Sequence, residues 1–578
     1  MKLTVAKTAG FCMGVRRAVE MVLDAPGKYE NPIYTFGPLI HNPSVLTLLK
    51  ERGISVIEDI PEKGSGTILI RAHGVPAKVK EDLKKAGFNV IDATCPRVIK
   101  VQTIIKKHTE KDYGVIIVGD KNHPEVIGLL SYAGEKGNVV ESLEEFDSLK
   151  VHDRGIIVAQ TTQSTMFFEM VKKRALVKCP HYKIFNTICD STARRQEEVT
   201  RIAESVEAVV VVGGHNSGNT RRLAEIAAKT GKPAYHIATE DELDLDKLSS
   251  ASSIGITAGA STPNWIIKRV YRTLEMLPMK RGQRWRSFFF KIQRSLLLTN
   301  IYVALGAGSL CYAGIKLQGL ENNFFLLLVS ALYVLSMHIF NNLTGVHADH
   351  YNDPARESFY INNRFFLGFL AAIAGTGCLF SAYSVGITPF MIILVMSFTG
   401  IIYNLKLIPE KLTKGKYSGV RDIPGSKTIL VALALGIITV LFPVLSVSGS
   451  MDLGTMTVFI WSTCLVFVRT AFFDILDMQG DRLVGKETIP ILLGEKRTLK
   501  ILKILLAAIF FSMVFAVGLH LIPSLGYLLS LCPFFLFWIL STHEKGYMMP
   551  GIRLDFLVET HFLLAGILTL IWSFLNNT

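Results

Sequence analysis

Two rhythms of apolar residues divide the chain. Up to about residue 280 the apolar runs are short, and each ends in a polar turn followed by helix-spaced residues. The run at 115–118 reads as a buried strand, Gly119-Asp120-Lys121-Asn122-His123-Pro124-Glu125 as the turn after it, and 126–130 as the start of a helix. Beyond residue 295 the runs lengthen to the size of a bilayer crossing. Nine spans are predicted, at 296–316, 323–341, 365–385, 388–405, 427–447, 455–473, 501–522, 524–541 and 557–575. The expectation is an α/β first half followed by an all-α polytopic membrane half.

The polar turn occurs three times. The other copies are Gly37-Pro38-Leu39-Ile40-His41-Asn42-Pro43 and Gly213-Gly214-His215-Asn216-Ser217-Gly218-Asn219. Four residues after each leading glycine stand His41, His123 and Ser217. Two further markers keep step. Cys12, Cys95 and Cys189 each open a charged helix, and three strands end in Arg71-Ala72-His73-Gly74, Ala159-Gln160-Thr161-Thr162 and Gly259-Ala260-Ser261-Thr262. The cysteines recur after 83 and 94 residues, the turns after 82 and 94, and the third tract after 88 and 100. A repeat of this length implies three similar α/β subdomains. Around a pseudo-threefold axis, trefoil-like, they would bring the three cysteines together inside a ring of His, Thr and Ser.

Composition changes the picture in one respect. The chain has 578 residues, a mean hydropathy of +0.35 and a net charge of +14. Much of the positive excess lies in loops between the apolar runs, which suits a membrane protein with basic cytoplasmic loops rather than a nucleic-acid binder. Residues 1–7 lack an apolar core, so no cleaved signal peptide is expected. Eight scattered cysteines suit a reducing compartment.

Three cysteines need a fourth ligand, such as a histidine, to complete a tetrahedral zinc site. They also suit a cubane iron–sulfur cluster with one iron left open. Cys179 lies off the repeat and reads as structural. His41, His73 and His123, with Ser217, Asn219 and Ser261 as neutral donors, point to a small, highly charged anion, and a diphosphate fits. Glu125 beside such an anion should hold its proton to higher pH, which makes it a candidate proton donor.

These motifs carry a resemblance. Gly10-Phe11-Cys12-Met13-Gly14-Val15, Asp92-Ala93-Thr94-Cys95-Pro96, His123-Pro124-Glu125 with Gly128, Gln160-Thr161-Thr162 and Ala258-Gly259-Ala260-Ser261 resemble the hydroxymethylbutenyl diphosphate reductase (LytB) family over nearly all of residues 1–280. The resemblance implies a [4Fe–4S] cluster on Cys12, Cys95 and Cys189, a diphosphate held by the donors above with Gly218, and Glu125 with Thr161 relaying protons. It also implies an external electron donor such as ferredoxin or flavodoxin. Such enzymes remove an allylic hydroxyl with two electrons and two protons, giving isopentenyl and dimethylallyl diphosphates. Gly218 stands where family members often have a second serine.

Residues 268–296 are basic and aromatic, with Lys268, Arg269, Arg272, Arg284, Arg286, Trp285 and Phe288 to Phe290 among them. The segment reads as an interfacial helix on anionic lipid, with 281–295 linking the halves. If the first half is inside, the inner loops 342–364, 406–426, 474–500 and 542–556 hold nearly all the loop Lys and Arg. That places the chain in the cell's inner membrane with its first half cytoplasmic.

Two inner loops are acidic. Asp474, Asp477 and Asp481 fall on one face if the sixth span continues as a helix. After the second span come Asn341, Gly345, Asp349 and Asp353. Carboxylates at a membrane mouth call for a partner, and magnesium carried on a diphosphate would serve. Nine spans with polar loops after spans two and six resemble the UbiA superfamily of intramembrane prenyltransferases over 296–578. The resemblance implies Mg2+ at Asn341, Asp349, Asp474, Asp477 and Asp481, and diphosphate contacts from Tyr403, Lys406 and Arg421. The family usually has Asn with acids four and eight residues later; here Gly345 takes the first of those places, and Asp353 is a candidate replacement. The implied function is bifunctional: a reductase making five-carbon prenyl diphosphates, fused to a transferase that alkylates an acceptor with a prenyl group. The rivals are an active reductase on a non-catalytic membrane anchor and a polytopic transporter.

Overall fold

The short apolar runs of the first half become β1 (Lys2–Val5), β2 (Ile33–Phe36), β3 (Ser55–Ile57), β4 (Thr67–Ile70), β5 (Asn89–Asp92), β6 (Gly114–Val118), β7 (Gly137–Val140), β8 (Gly155–Ala159), β9 (Lys183–Phe185), β10 (Ala208–Val212), β11 (Ala234–Ile237) and β12 (Ser253–Ala258). The structure, a computed structural model, describes residues 2–40, 42–277, 284–345, 352–403, 420, 423–447, 451–483, 486–546 and 551–576. The expected site residues His41, Asp349, Lys406 and Arg421 lie outside the described residues. The chain divides into two units, Met1–Lys280 and Arg281–Thr578.

In the first unit the strands form three four-stranded parallel sheets with one shared topology. Their orders are β3-β2-β4-β5, β7-β6-β8-β9 and β11-β10-β12-β1. The second strand in each order is the first after the cysteine helix and the third precedes the small polar tract. In the third sheet the fourth place is taken by β1, whose Lys2 pairs with Ser253 and Val5 with Ile256. The start of the chain therefore completes the last subdomain, and each cysteine follows a fourth strand: Cys12 after β1, Cys95 after β5, Cys189 after β9. Central strands β6, β8 and β10 are buried at all five positions, which is why they read as unbroken Val/Ile runs.

The basic seam is not one segment. In helix Asn264–Glu275 the residues Trp265, Ile266, Ile267, Val270 and Leu274 are buried in the first unit, so Lys268, Arg269 and Arg272 sit on the polar side of that helix. Helical spacing of the apolar residues, not the charge, decides where they belong. A separate helix, Arg284–Leu298, leaves Trp285, Phe288 and Phe289 59, 62 and 56% exposed. It presents aromatic side chains of the kind that settle at a lipid interface.

Among the described residues the predicted spans coincide with helices of the second unit, except the first, which straddles two. Seven helices among the described residues are long and apolar enough to cross a membrane, and an eighth if the bent pair Phe288–Leu298 and Ile301–Leu317 counts as one. The ninth, Ile387–Tyr403, is 17 residues long. The expected first span breaks before Ile301, where Asn300 takes a left-handed φ of 59° and the chain turns by 75°. Asparagine tolerates that conformation, and its amide donates to the Tyr360 hydroxyl at 2.6 Å. The fifth span, Ser426–Val447, contains a π-turn over Ile437–Leu441. Carbonyls displaced by a π-turn need donors in a bilayer. Ser330 Oγ donates to Ile438 O at 2.9 Å and Gln318 Nε2 to Val440 O at 3.4 Å. Gly314 leaves room for Thr439 O at the same turn; an added Cβ would lie 2.7 Å from it.

Candidate functional site

The three cysteines occupy equivalent places. Each is the residue before a helix: Cys12 before Met13–Asp24, Cys95 before Pro96–Thr109 and Cys189 before Asp190–Ser205. Each donates its backbone N–H to the third tract of the preceding sheet. Cys12 bonds Ala260 O at 3.1 Å, Cys95 bonds Ala72 O at 2.9 Å and Cys189 bonds Thr161 O at 2.9 Å. The same hydrogen bond made three times is the repeat expressed as geometry. Helix N-termini favour thiolates. Burial acts against this at Cys95 and pushes its thiol up, while the Arg97 and Val98 amides pull it down.

All three cysteines line one cavity of about 740 Å³, counting the solvent at its mouth. Among the described residues no three His, Cys, Asp or Glu side chains gather tightly enough for a single ion. Three thiols spread around one cavity suit a larger, multi-atom cluster, whose irons keep the sulfurs apart. Gly14 leaves space for the Cys95 thiol beside the Cys12 helix: a Cβ there would overlap Cys95 Sγ. The residues present fit a [4Fe–4S] group.

The cavity also gathers His73, His123, Glu125, Thr161, Ser217, Gly218, Asn219 and Ser261. Each sits just past the C-terminal end of a strand, the usual ligand edge of parallel sheets. His123 and Ser217 are N-caps, of Pro124–Ala133 and Gly218–Lys229. The His73 and His123 rings meet edge to face at 5.3 Å. His123 Nδ1 accepts the Glu125 N–H at 3.1 Å, which leaves Nε2 to carry the proton in the neutral ring. Ser261 and Ser217 hydroxyls lie 3.4 Å apart. Asn219 is 7% exposed, yet among the described residues neither atom of its side-chain amide has a hydrogen-bond partner. Buried polar atoms without partners are rare and point to a missing ligand.

Glu125 is 1% exposed. Thr161 N donates to its Oε1 at 2.7 Å and Thr161 Oγ1 to its Oε2 at 2.8 Å. Burial outweighs these bonds and raises its pKa from 4.5 to about 7. A carboxyl with that value in a polar cavity can hold and release a proton near neutrality.

One residue of this site, Arg222, carries no signal in the sequence, and Gln160, named there only as part of a motif, has a role that the structure adds. Arg222, on helix Gly218–Lys229, pairs with Asp120 at 2.6 Å and donates to Thr162 O at 2.8 Å, so it ties the second and third copies together. Gln160 accepts the Asp120 N–H at 3.0 Å. Arg222 has no such signal because a single arginine early in a helix reads as a solvated surface charge.

In the second unit the sixth span does continue: one helix, Leu453–Leu483, carries Asp474, Asp477 and Asp481 on one face. Asp474 and Asp481 are each 3% exposed. Thr428 Oγ1 donates to Asp474 at 2.6 Å, and Lys427 lies 4.0 Å from it. Asn352 Nδ2 donates to Asp481 at 3.0 Å, and Lys486 pairs with it at 3.2 Å. Asn352 also packs where a Cβ on Gly480 would be. The loop after span two thus reaches the acidic face through Asn352, a residue absent from the expected ligand set. Asn341 ends the second span on helix Phe324–Thr344 and Tyr403 ends the fourth. Asp353 caps helix Pro354–Asn362, accepting from Arg356 N at 3.2 Å. Hard oxygen donors presented one or two at a time suit magnesium that arrives on a diphosphate.

Comparison with known proteins divides the chain at the same place. The family model for LytB protein matches residues 3–275, and that for the UbiA prenyltransferase family matches residues 301–548. The 4-hydroxy-3-methylbut-2-enyl diphosphate reductase of Pelobacter propionicus is 44% identical over 270 residues, 47% of this chain and 96% of that one. The structure of the E-1-hydroxy-2-methyl-but-2-enyl-4-diphosphate reductase from Plasmodium falciparum shares 30% identity with a TM-score of 0.45, covering 48% of this chain and 87% of its own. A UbiA homolog from Archaeoglobus fulgidus bound to GPP and Mg2+ shares 15% identity with a TM-score of 0.37, covering 49% of this chain and 98% of its own. The chain belongs to the LytB family, with a UbiA-type domain fused to its reductase half as a multi-pass membrane half.

Proposed function

We propose that the first half reduces (E)-4-hydroxy-3-methylbut-2-enyl diphosphate to isopentenyl and dimethylallyl diphosphates. The observation that carries this is one cavity holding three repeat-equivalent cysteines beside a buried carboxyl poised near neutrality. The overall change expels the allylic hydroxyl as water and uses two electrons and two protons. Cys12, Cys95 and Cys189 would hold the [4Fe–4S] cluster, which when bound supplies electrons one at a time and an open Lewis-acidic iron. The electrons come from a carrier such as ferredoxin or flavodoxin. His73, His123, Ser217, Asn219 and Ser261 bind the diphosphate, helped by the amides at the start of Gly218–Lys229. His41, by its place in the first turn, joins them. Glu125 holds the proton, and the Thr161 hydroxyl, 2.8 Å from it, relays it toward the leaving oxygen. The test is anaerobic incubation of the full-length chain with labelled substrate and a chemical reductant. Label should appear in both five-carbon diphosphates. Wild-type protein that carries a cluster but forms neither product would refute the assignment.

The second half transfers a prenyl group from a prenyl diphosphate to an acceptor within the cell's inner membrane, with the reductase half on the cytoplasmic side. Asp474, Asp477 and Asp481, with Asn341 and Asp349, would hold Mg2+, which when bound neutralises the diphosphate leaving group. Tyr403, Lys406 and Arg421, by position, contact that diphosphate. Support comes from three acids on one face at the end of a span, two of them buried beside Lys427 and Lys486, an arrangement of acids and bases at a membrane mouth that is costly unless it serves a charged ligand. Release of pyrophosphate from labelled prenyl diphosphates, dependent on magnesium and a lipid extract, tests it.

A further inference from the structure

Arg195 lies six residues beyond Cys189 on helix Asp190–Ser205 and is 3% exposed. Its guanidinium forks to two carbonyls. Nη2 donates to Gly10 O at 2.6 Å and Nη1 to Ala258 O at 3.0 Å. Gly10 stands two residues before Cys12. Ala258 ends β12, and just beyond it Ala260 accepts the Cys12 N–H at 3.1 Å. One side chain therefore fastens the Cys189 helix, the Cys12 loop and the tract carrying Ser261.

The charge on this side chain lacks the usual compensation. Among the described residues no carboxylate forms an ion pair with it. Glu198, one turn along the helix, is occupied elsewhere: it accepts from Lys7 N, Thr8 N and Thr8 Oγ1 at 2.9, 2.9 and 2.7 Å and pairs with Arg201 at 3.4 Å. Among the described residues Arg195 Nε is buried with no hydrogen-bond partner. Burial disfavours the charge on Arg195, and Cys12, Glu198 and Cys189 are the nearby groups that favour it. A buried cation with no carboxylate in contact is costly, so it persists where an anion completes the site. Three thiolates on a cubane cluster make a net anion.

We propose that Arg195 is a positioning residue whose fixed positive charge, locked behind Cys12 and Cys189, makes the bound cluster easier to reduce. The inference rests on the reading that these cysteines hold a redox cluster. The physical reason is simple: reduction adds negative charge, and a nearby desolvated cation favours the more negative state. A neutral side chain at 195 would leave the thiolates in place but remove that bias. A lysine would keep the charge while breaking the fork.

The test is an anaerobic redox titration of full-length protein, followed by electron paramagnetic resonance, for wild type, Arg195→Lys and Arg195→Gln. The expected result is that Arg195→Lys titrates with wild type. Arg195→Gln should need a potential more negative by about 59 mV or more, a tenfold change in the one-electron equilibrium, with KM for the diphosphate substrate unchanged. Arg195→Gln titrating with wild type, or Arg195→Lys shifting as far as Arg195→Gln, would overturn the proposal. If Arg195→Gln does not load iron, Arg195→Lys decides. Loading with a wild-type midpoint supports the charge, and failure to load assigns the residue to packing alone and overturns it. A wild-type chain without cluster absorption would instead remove the underlying reading, before any variant is compared.

Discussion

Replacing Glu125 by Gln tests the proton source at a single atom. The carboxyl is 1% exposed, and burial lifts its pKa from 4.5 to about 7. That rise corresponds to about 3 kcal/mol of bias against the charged form. Because the folded value lies above the unfolded one, the protonated group contributes its full stability below about pH 4.5. That contribution is lost as pH climbs through about 7. Catalysis shares the limb. A general acid must carry its proton, and by pH 8 only about one molecule in ten still does. The expected profile of kcat/KM falls on the alkaline side with a midpoint near 7. Glutamine can keep most of the geometry, since the Thr161 N–H still finds a carbonyl and the Thr161 hydroxyl can turn to accept from the amide. The variant should fold, lose about 100- to 10,000-fold in rate, and show no alkaline limb of its own. Its stability should also fall less with pH than that of wild type, read by hydrogen exchange in Gly155–Ala159 at several pH values. A variant with a rate within threefold of wild type, or with the same alkaline limb, would refute the assignment.

Other expectations follow from the same geometry. Thr161→Val removes the hydroxyl donor that favours ionised Glu125, so the alkaline limb should move up by about one unit as the rate falls. Gly14→Ala puts a Cβ against Cys95 Sγ, so it should cost the protein its iron and visible absorption as Cys95→Ser does, while circular dichroism stays close to wild type. Asn219→Ala deletes two buried amide atoms that lack protein partners. KM should rise by about 1–3 kcal/mol in binding terms, with little loss of secondary structure, as judged by steady-state kinetics.

Much of this arrangement was legible in the chain because a threefold repeat states each element three times. A single cysteine before a charged helix says little. Cys12, Cys95 and Cys189 in step with three turns and three strand ends predicted one cavity, and eleven of the expected site residues line it. Topology was less legible. The pairing of β1 with β12 spans the whole unit, and nothing local in 2–5 announces it. Charge misled at the seam, where Lys268, Arg269 and Arg272 sit on a helix whose apolar face belongs to the first unit. In the membrane half the sixth span's acids announced themselves by spacing. Their neighbours Thr428, Lys427 and Asn352 did not, because they come from other spans and loops. Asn300 shows the same limit: one left-handed residue turns an apolar run into two helices, and hydropathy cannot see it.

The central claim is that one chain carries two separate active sites. The most direct measurement runs both reactions on one anaerobic, detergent-solubilised preparation of wild type, Glu125→Gln and the Asp474→Asn/Asp477→Asn double variant. Reduction is read from labelled 4-hydroxy-3-methylbut-2-enyl diphosphate. Transfer is read as label moved from prenyl diphosphates of several lengths into new lipid in the presence of magnesium and a membrane extract. The account predicts that Glu125→Gln loses reduction and keeps transfer, and that the double variant does the reverse. Silence of wild type with every prenyl donor, or loss of both activities from either variant, would contradict it.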